Sequence, residues 1–284
     1  LEMSAQCSCF LLFDECHKLV KDADYRNNIT LPIDDFFKFD QKALVSATPI
    51  ELNDPRFKEQ NFQTIEIQPT FDYKKEIWLH HTNNTLQAFK NVLSKLDNEE
   101  AAPLPICVFI NSTDIIYSLM KQLDLLEESA VFCAPKSVDK LKKNRFCNVY
   151  EQWNKDKMKR YNFFTSRFFN AVDMELEEQP HVIMLTDVYF AEHTMIDPYT
   201  DAIQIVGRFR NGVSSITYIS NTKKGLPQRS KEEIKGYLIC SKEIYRTMKN
   251  FYDCATDRAS RDAYRAALES LPFNRMLEWN GNPC

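Results

Sequence analysis

The chain has 284 residues, 44% of them hydrophobic and 27% charged, and a formal net charge of −4. That length allows two ordinary domains with their own cores, and the composition excludes a disordered or fibrous chain. The acid excess excludes a generally adhesive polybasic binder, so any nucleic-acid site has to be a local groove.

Residues 7–13, CSCFLLF, are an apolar run ending in acids, the pattern of a buried parallel strand. Residues 32–39 read as a helix entered through Pro32, residues 42–47 as a second buried strand and residues 64–68 as a third. Pro69-Thr70-Phe71-Asp72 reads as a linker, after which the pattern restarts. Strands are predicted at 76–80, 106–110, 130–133, 162–165, 181–185 and 215–220, with helices at 84–96, 112–123 and 200–206. A basic helical stretch runs from Lys136 to Arg160, through Lys140, Lys142, Lys143, Arg145, Lys155, Lys157 and Lys159, and a second basic group holds Lys223, Lys224, Arg229, Lys231 and Lys235. From Ser230 the pattern turns helical, with Ile234, Leu238, Ile244, Met248 and Phe251 on one face. A last helix spans 257–271 and stops before Pro272. Strands alternating with helices predict an α/β fold with parallel sheets, divided as 1–70, 71–222 and a helical extension 223–284.

The nine cysteines are odd in number and scattered, with Cys7, Cys9, Cys107 and Cys133 in predicted core strands. That is the usage of reduced thiols, so a cytoplasmic location is expected. The spacing of Cys7, Cys9, Cys16 and His17 does not suit zinc. No apolar run approaches the roughly 18 residues of a spanning helix, and no membrane partner is expected. Leu1-Glu2 before Met3 reads as a cut end or a cloning remnant rather than a leader. All five glycines lie at or beyond Gly207, so no glycine loop that closes around phosphate exists in the first two hundred residues.

Three segments carry chemistry. Asp14-Glu15-Cys16-His17 directly follows a strand, where one carboxylate can hold Mg²⁺ and its neighbour can orient a water. Taken alone, such acids equally suit a capped helix start. Ser46-Ala47-Thr48-Pro49 puts two hydroxyls after the next strand, or is simply an N-cap with proline at the first helical position. In Gln204-Ile-Val-Gly207-Arg208-Phe-Arg210, glycine permits a close backbone approach and two arginines suit a polyphosphate. The alternative there is an ion-paired helix surface.

In this order the three segments resemble motif II (here DECH), motif III and motif VI of the DEAD/DEAH-type helicases of superfamily 2. Two weaker segments are similar to further motifs. Phe109-Ile110-Asn111-Ser112 looks like motif IV. Thr165, Ala171 and Asp173 keep the spacing of motif V, with Ala171 where the family usually has glycine. Thr186-Asp187-Val188 is an alternative motif V, set aside because too little chain separates it from Gln204 for the expected strand and helix. The Gly207-Arg-Phe-Arg210 run before Asn211-Gly212, and Ser166-Arg-Phe-Phe169 after Thr165, look more like the viral origin-binding and phage-type helicases.

The resemblance implies tandem RecA-like domains, the first truncated at its N-terminus, and an ATP-dependent helicase or translocase acting on nucleic acid, DNA in preference to RNA. Its cofactors would be ATP and Mg²⁺. Asp14 would hold Mg²⁺ through water and Glu15 would activate the attacking water. His17 and Gln204 would couple the domains, and Ser46 and Thr48 would link hydrolysis to grip. Ser112 or Thr113 and Thr165 would hold strand phosphates, Asp173 the nucleotide ribose, and Arg208 the γ-phosphate beside Gly207. Arg210 is displaced from the usual second arginine, whose position is Asn211. The resemblance implies a P-loop upstream of residue 1, so the 284 residues alone are expected not to turn over ATP. The other classes weighed are a helicase-like scaffold that has lost catalysis and the motor subunit of a restriction or repair nuclease.

Overall fold

The structure is a computed structural model and describes residues 9–21, 32–49, 54–70, 74–99, 103–170, 172–222, 225, 228–271 and 273–274. Cys7, Phe71, Asp72, Ala171, Lys223 and Lys224 therefore lie outside the described residues. The chain divides into two compact units, Leu1–Pro49 with Lys224–Cys284, and Ile50–Lys223.

The second unit is built on seven parallel strands. In chain order these are β3 (Trp78–His81), β4 (Ile106–Phe109), β5 (Ser129–Phe132), β6 (Val149–Tyr150), β7 (Tyr161–Phe164), β8 (His181–Thr186) and β9 (Ser215–Ser220), arranged in space β3-β9-β8-β4-β7-β5-β6. ICVF, SAVF, YNFF and HVIMLT in β4, β5, β7 and β8 are buried throughout. Continuous burial is what a parallel sheet covered on both faces requires, and it explains why these strands read as unbroken apolar runs. Alternate residues of each strand serve opposite faces. Ile106, Val108 and Ile110 join Phe89, Ile116 and Leu119 on one side, while Cys107 and Phe109 join Phe132, Phe164, Met184 and Ile205 on the other.

The covering helices are α4 (Thr85–Glu99), α5 (Thr113–Gln122), α6 (Pro135–Lys143) and α7 (Asp201–Gly207). They follow α1 (Lys18–Lys21) and α2 (Pro32–Phe36) of the first unit and α3 (Pro55–Glu59) of the second. On the second face, phenylalanine rings stack across three strands. Phe109 lies 5.0 Å from Phe164, which lies 4.9 Å from Phe132. Offset-stacked rings contribute beyond their buried area, so this row firms the sheet just below the ends of β4, β7 and β5.

In the first unit β1 (Phe10–Phe13) pairs in parallel with β2 (Gln41–Leu44), from Phe10 opposite Gln41 to Phe13 opposite Leu44. Phe36 is buried edge-on against Phe13 at 6.3 Å. The same unit contains α8 (Lys231–Cys254) and α9 (Arg258–Ser270). Ser230 and Glu233 form a reciprocal capping box at the start of α8, and Asp257 caps α9. Phe251 of α8 stacks on Tyr264 of α9 at 5.7 Å.

Four expectations need correction, the first being burial of the strands read at 7–13 and 42–47: no residue of β1 or β2 is buried, and Phe10 and Leu12 are more than half exposed. Residues 64–68 form no strand; they lie in irregular backbone with Ile65 and Ile67 83% and 89% exposed. Alternating hydrophobicity favours a strand only where a ladder partner satisfies the backbone, and none pairs with this segment. The basic stretch is helical only to Lys143, and β6 follows it within the range read as helix. Cys9 is exposed, unlike Cys107 and Cys133.

Candidate functional site

Beyond β1 the chain turns through Asp14 to His17. Glu15 takes the left-handed conformation, with φ of 54°, uncommon for a residue with a side chain. The turn is stitched to the neighbouring segment by Cys16 N donating to Val45 O at 3.1 Å. Asp14 Oδ1 accepts from Glu15 N at 2.8 Å. His17 is buried, its Nδ1 3.2 Å from Glu15 Oε2 and 2.9 Å from Ser46 Oγ. Ser46 Oγ also accepts from Thr48 N at 3.1 Å. Glu15, His17, Ser46 and Thr48 are thus one connected polar group, with Asp14 exposed beside it. The Cys16 thiol within the turn is pushed up by burial, with the Glu15 and Asp14 charges adding to the shift.

Mg²⁺ is usually held by one or two carboxylates together with substrate phosphates and water. An exposed Asp14 whose backbone-bonded oxygen is oriented by Glu15 N fits that mode. Among the described residues no three His, Cys, Asp or Glu side chains group around a metal position, and this mode does not require such a group.

The arginine segment lies in the second unit. Gln204 is buried in α7, and Arg208 and Arg210 follow the helix end. Met174 bridges to Phe209, with Met174 N donating to Arg208 O and Arg210 N to Met174 O. This docking draws Asn170 and residues 172–174 to the arginines. Arg210 Nη2 donates to both Asp173 oxygens at 2.8 and 2.9 Å. The Arg208 guanidinium reaches Asp173 Oδ1 at 3.4 Å, Asn170 O at 3.2 Å, Gln204 O at 3.2 Å and Gln204 Oε1 at 3.1 Å. Asp173, Gln204, Arg208 and Arg210 therefore meet in one array. The expected close approach at Gly207 is not within the chain itself, since a Cβ there would meet nothing within 4 Å. Asn211 bonds back to Leu176 O and accepts from Gln179.

Ser112, Thr113 and Thr165 converge on a cleft of about 260 Å³, completed by Asn111, Ser166, Arg167 and His193 among others. The cleft opens at the C-terminal ends of β4, β5 and β7, the side on which open α/β sheets take ligands. Ser112 Oγ caps α5 through Ile115 N at 3.4 Å, and Thr113 is the first helical residue. The α6 N-terminus, at Ala134, carries no side-chain cap. The positive ends of two helix dipoles beside the cleft suit an anion. Thr165 is 7% exposed, and its hydroxyl makes no cap bond.

Arg167 and His193 line the candidate cleft and are missed by the sequence reading. Arg167 stands two positions after Thr165, close enough to be found by inspection; His193 comes from a loop 28 positions on and carries no local signal. Thr186, in the alternative motif, spends its hydroxyl on Thr194 O, Ile196 N and Tyr218 within the core. A larger cleft of about 620 Å³ sits at the opposite end of the strands, between Asp97, Glu128, Lys159 and Arg160. Its charges are spent internally, Arg160 on Asp97 at 2.7 Å and Lys159 on Glu127 O at 2.6 Å. The smaller cleft is therefore the better candidate.

No protein-family model matches the chain, and no curated protein does. Among the solved structures that are similar in part are three helicase chains. The C-terminal domain of the DEAD-box protein Dbp5 matches at 13% identity and TM-score 0.32, over 60% of this chain and 84% of that one. Dbp5 of S. cerevisiae bound to RNA and ADP BeF3 matches at 14% identity and TM-score 0.46, over 83% of this chain and 57% of that one. A hypothetical ATP-dependent RNA helicase from Sulfolobus tokodaii matches at 14% identity and TM-score 0.32, over 79% of this chain and 60% of that one. The chain spans less than two thirds of the latter two. Scores of this size carry no argument about activity, and the fold class rests on the parallel sheet itself.

Proposed function

We propose that the cleft at Ser112, Thr113 and Thr165 binds the sugar-phosphate backbone of a nucleic acid, DNA in preference to RNA. The chain would thereby form part of a nucleic-acid-dependent ATPase of the superfamily 2 helicase type, with tandem RecA-like domains. The observation that carries this reading is the convergence of the Ser112, Thr113 and Thr165 hydroxyls and Arg167 on one cleft, beside the N-termini of α5 and α6. Phosphate contacts from hydroxyls, helix N-termini and arginine fix a strand in place without reading its sequence. Ser112 and Thr113 would orient one phosphate, Thr165 would donate its hydroxyl proton to another oxygen, and Arg167 would neutralise the charge.

In ATP hydrolysis, Asp14 is proposed to hold Mg²⁺ through water. Glu15 would take a proton from the attacking water, with His17 and Ser46 fixing the Glu15 carboxylate. Arg208 is proposed to meet the γ-phosphate, and its bonds to Gln204 and Asp173 hold the guanidinium in position beforehand. Bound ATP supplies the phosphoryl group whose developing charge these residues stabilise. With no glycine before Gly207 to build a phosphate-closing loop, the 284 residues alone are predicted to bind nucleic acid without ATP turnover. Turnover by the purified chain that Glu15→Gln abolishes would contradict this.

The binding half is tested by fluorescence anisotropy of labelled DNA and RNA strands. Binding at low salt that weakens as salt rises is expected. Thr165→Val should raise Kd by about tenfold, the worth of a hydrogen bond to a charged group.

A further inference from the structure

The loop between β8 and α7 holds four large side chains that the fold does not bury: Tyr189, Phe190, Met195 and Tyr199 are 57%, 63%, 65% and 82% exposed. Their backbone is firmly held. The Asp187 carboxylate accepts from Thr85 Oγ1 at 2.7 Å, Asn221 Nδ2 at 3.0 Å and Phe190 N at 3.2 Å. Asp187 N donates to Thr194 Oγ1 at 2.9 Å, and Val188 N to Asn221 Oδ1 at 2.7 Å. Tyr189 OH donates to Thr222 O at 2.8 Å, which pins that ring. Tyr199 N donates to Asp197 Oδ1 at 2.7 Å.

The loop is also fastened to the cleft. Asn111 Nδ2 donates to His193 O at 3.0 Å, and Asn111 and His193 both line the cleft. Phe190 stands three residues before His193, so its Cα lies within about 11 Å of it by chain reach. A neighbouring cleft of the kind proposed for phosphate and exposed aromatic side chains on a bonded backbone are the combination that suits single-stranded nucleic acid. Each unpaired base offers a face for stacking, whatever its identity, whereas duplex bases are already stacked on one another. Exposed Glu192 in the same loop repels phosphate, so a strand would meet the loop with its bases rather than its backbone.

We propose that the 187–200 loop is a base-stacking platform for single-stranded nucleic acid, with Phe190 and Tyr199 as the receiving faces and Tyr189 as an anchor. This rests on the phosphate-cleft reading above and narrows its substrate from nucleic acid in general to an unpaired strand.

The test is anisotropy with three labelled probes: an oligo-dT strand, an abasic strand of equal length, and a duplex. Wild-type chain should bind oligo-dT about tenfold tighter than the abasic strand, the scale of one or two base stacks. A Phe190→Ala/Tyr199→Ala double variant should lose that preference and keep the abasic affinity, while Phe190→Trp combined with Tyr199→Ala should recover it. Both side chains are exposed, and unchanged far-UV circular dichroism would show that the variant folds. Equal oligo-dT binding by wild type and double variant overturns the platform, as does tighter binding of the duplex than of the single strand. If the double variant instead abolishes self-association seen by sedimentation and leaves affinity unchanged, the patch is a protein contact and the proposal falls. The two readings separate cleanly. Binding that depends on Thr165 but not on Phe190 sinks only the platform, and no binding of any probe sinks the cleft as well.

Discussion

Thr165 directly follows Phe164, the middle ring of the Phe109, Phe164 and Phe132 row at the end of β7, so the placement of its hydroxyl depends on that row. Phe164→Ala removes the middle ring and is expected to cost about 3–5 kcal/mol, read as a lowered denaturant midpoint. A loss below about 1 kcal/mol would show that the row is not packed as described. Asp173 differs because it is half-exposed. Asp173→Asn is predicted to change stability by less than about 1 kcal/mol despite two arginine partners, since exposed ion pairs are screened. Residue identities along the chain are legible where the pairing is local, as with two acids after an apolar strand. Partners across the fold are not: His17 meets Ser46 29 positions on, and Asp173 meets Arg210 37 positions on. Only the docking of Met174 on Phe209 brings the latter pair together.

Elements with unbroken apolar runs are the ones that the sequence places well. β8, β9, α5 and α7 fall within a residue or so of their expected bounds, because burial on both faces and a polar entry leave little choice of period. Segment 64–68 shows the limit, since two exposed isoleucines in strand alternation acquire no partner. β6 is two residues long, too short for any period to register. The 187–200 loop has no periodic signal; its fixed shape comes from Asp187 and Asn221, 34 positions apart. Helix α8 offers a separate test. Ser230→Ala removes one half of its capping box and is expected to cost about 1 kcal/mol, measured by urea unfolding followed by circular dichroism.

At the scale of the whole molecule, burial of the sheet governs thiol chemistry. Cys107 and Cys133 belong to or adjoin central strands, and burial pushes both thiols up, Cys133 from 9.0 to about 12. Native chain treated with iodoacetamide should therefore be alkylated first at Cys9, Cys147, Cys240 and Cys254, with Cys107 and Cys133 protected until denaturant is added. Equal labelling of Cys107 and Cys147 would contradict the buried sheet. Because these folded-state values lie above the unfolded ones, the stability they confer is fully present below pH 9 and declines as the pH rises toward 12.

A single titration tests whether the cleft where Ser112, Thr113 and Thr165 meet holds a strand. Wild-type chain and Thr165→Val are each mixed with a labelled single strand at low salt and again at higher salt, and Kd is read by anisotropy. The account predicts salt-sensitive binding by wild type and about tenfold weaker binding by the variant. Superimposable isotherms for the two proteins, or no binding by wild type at low salt, would contradict it.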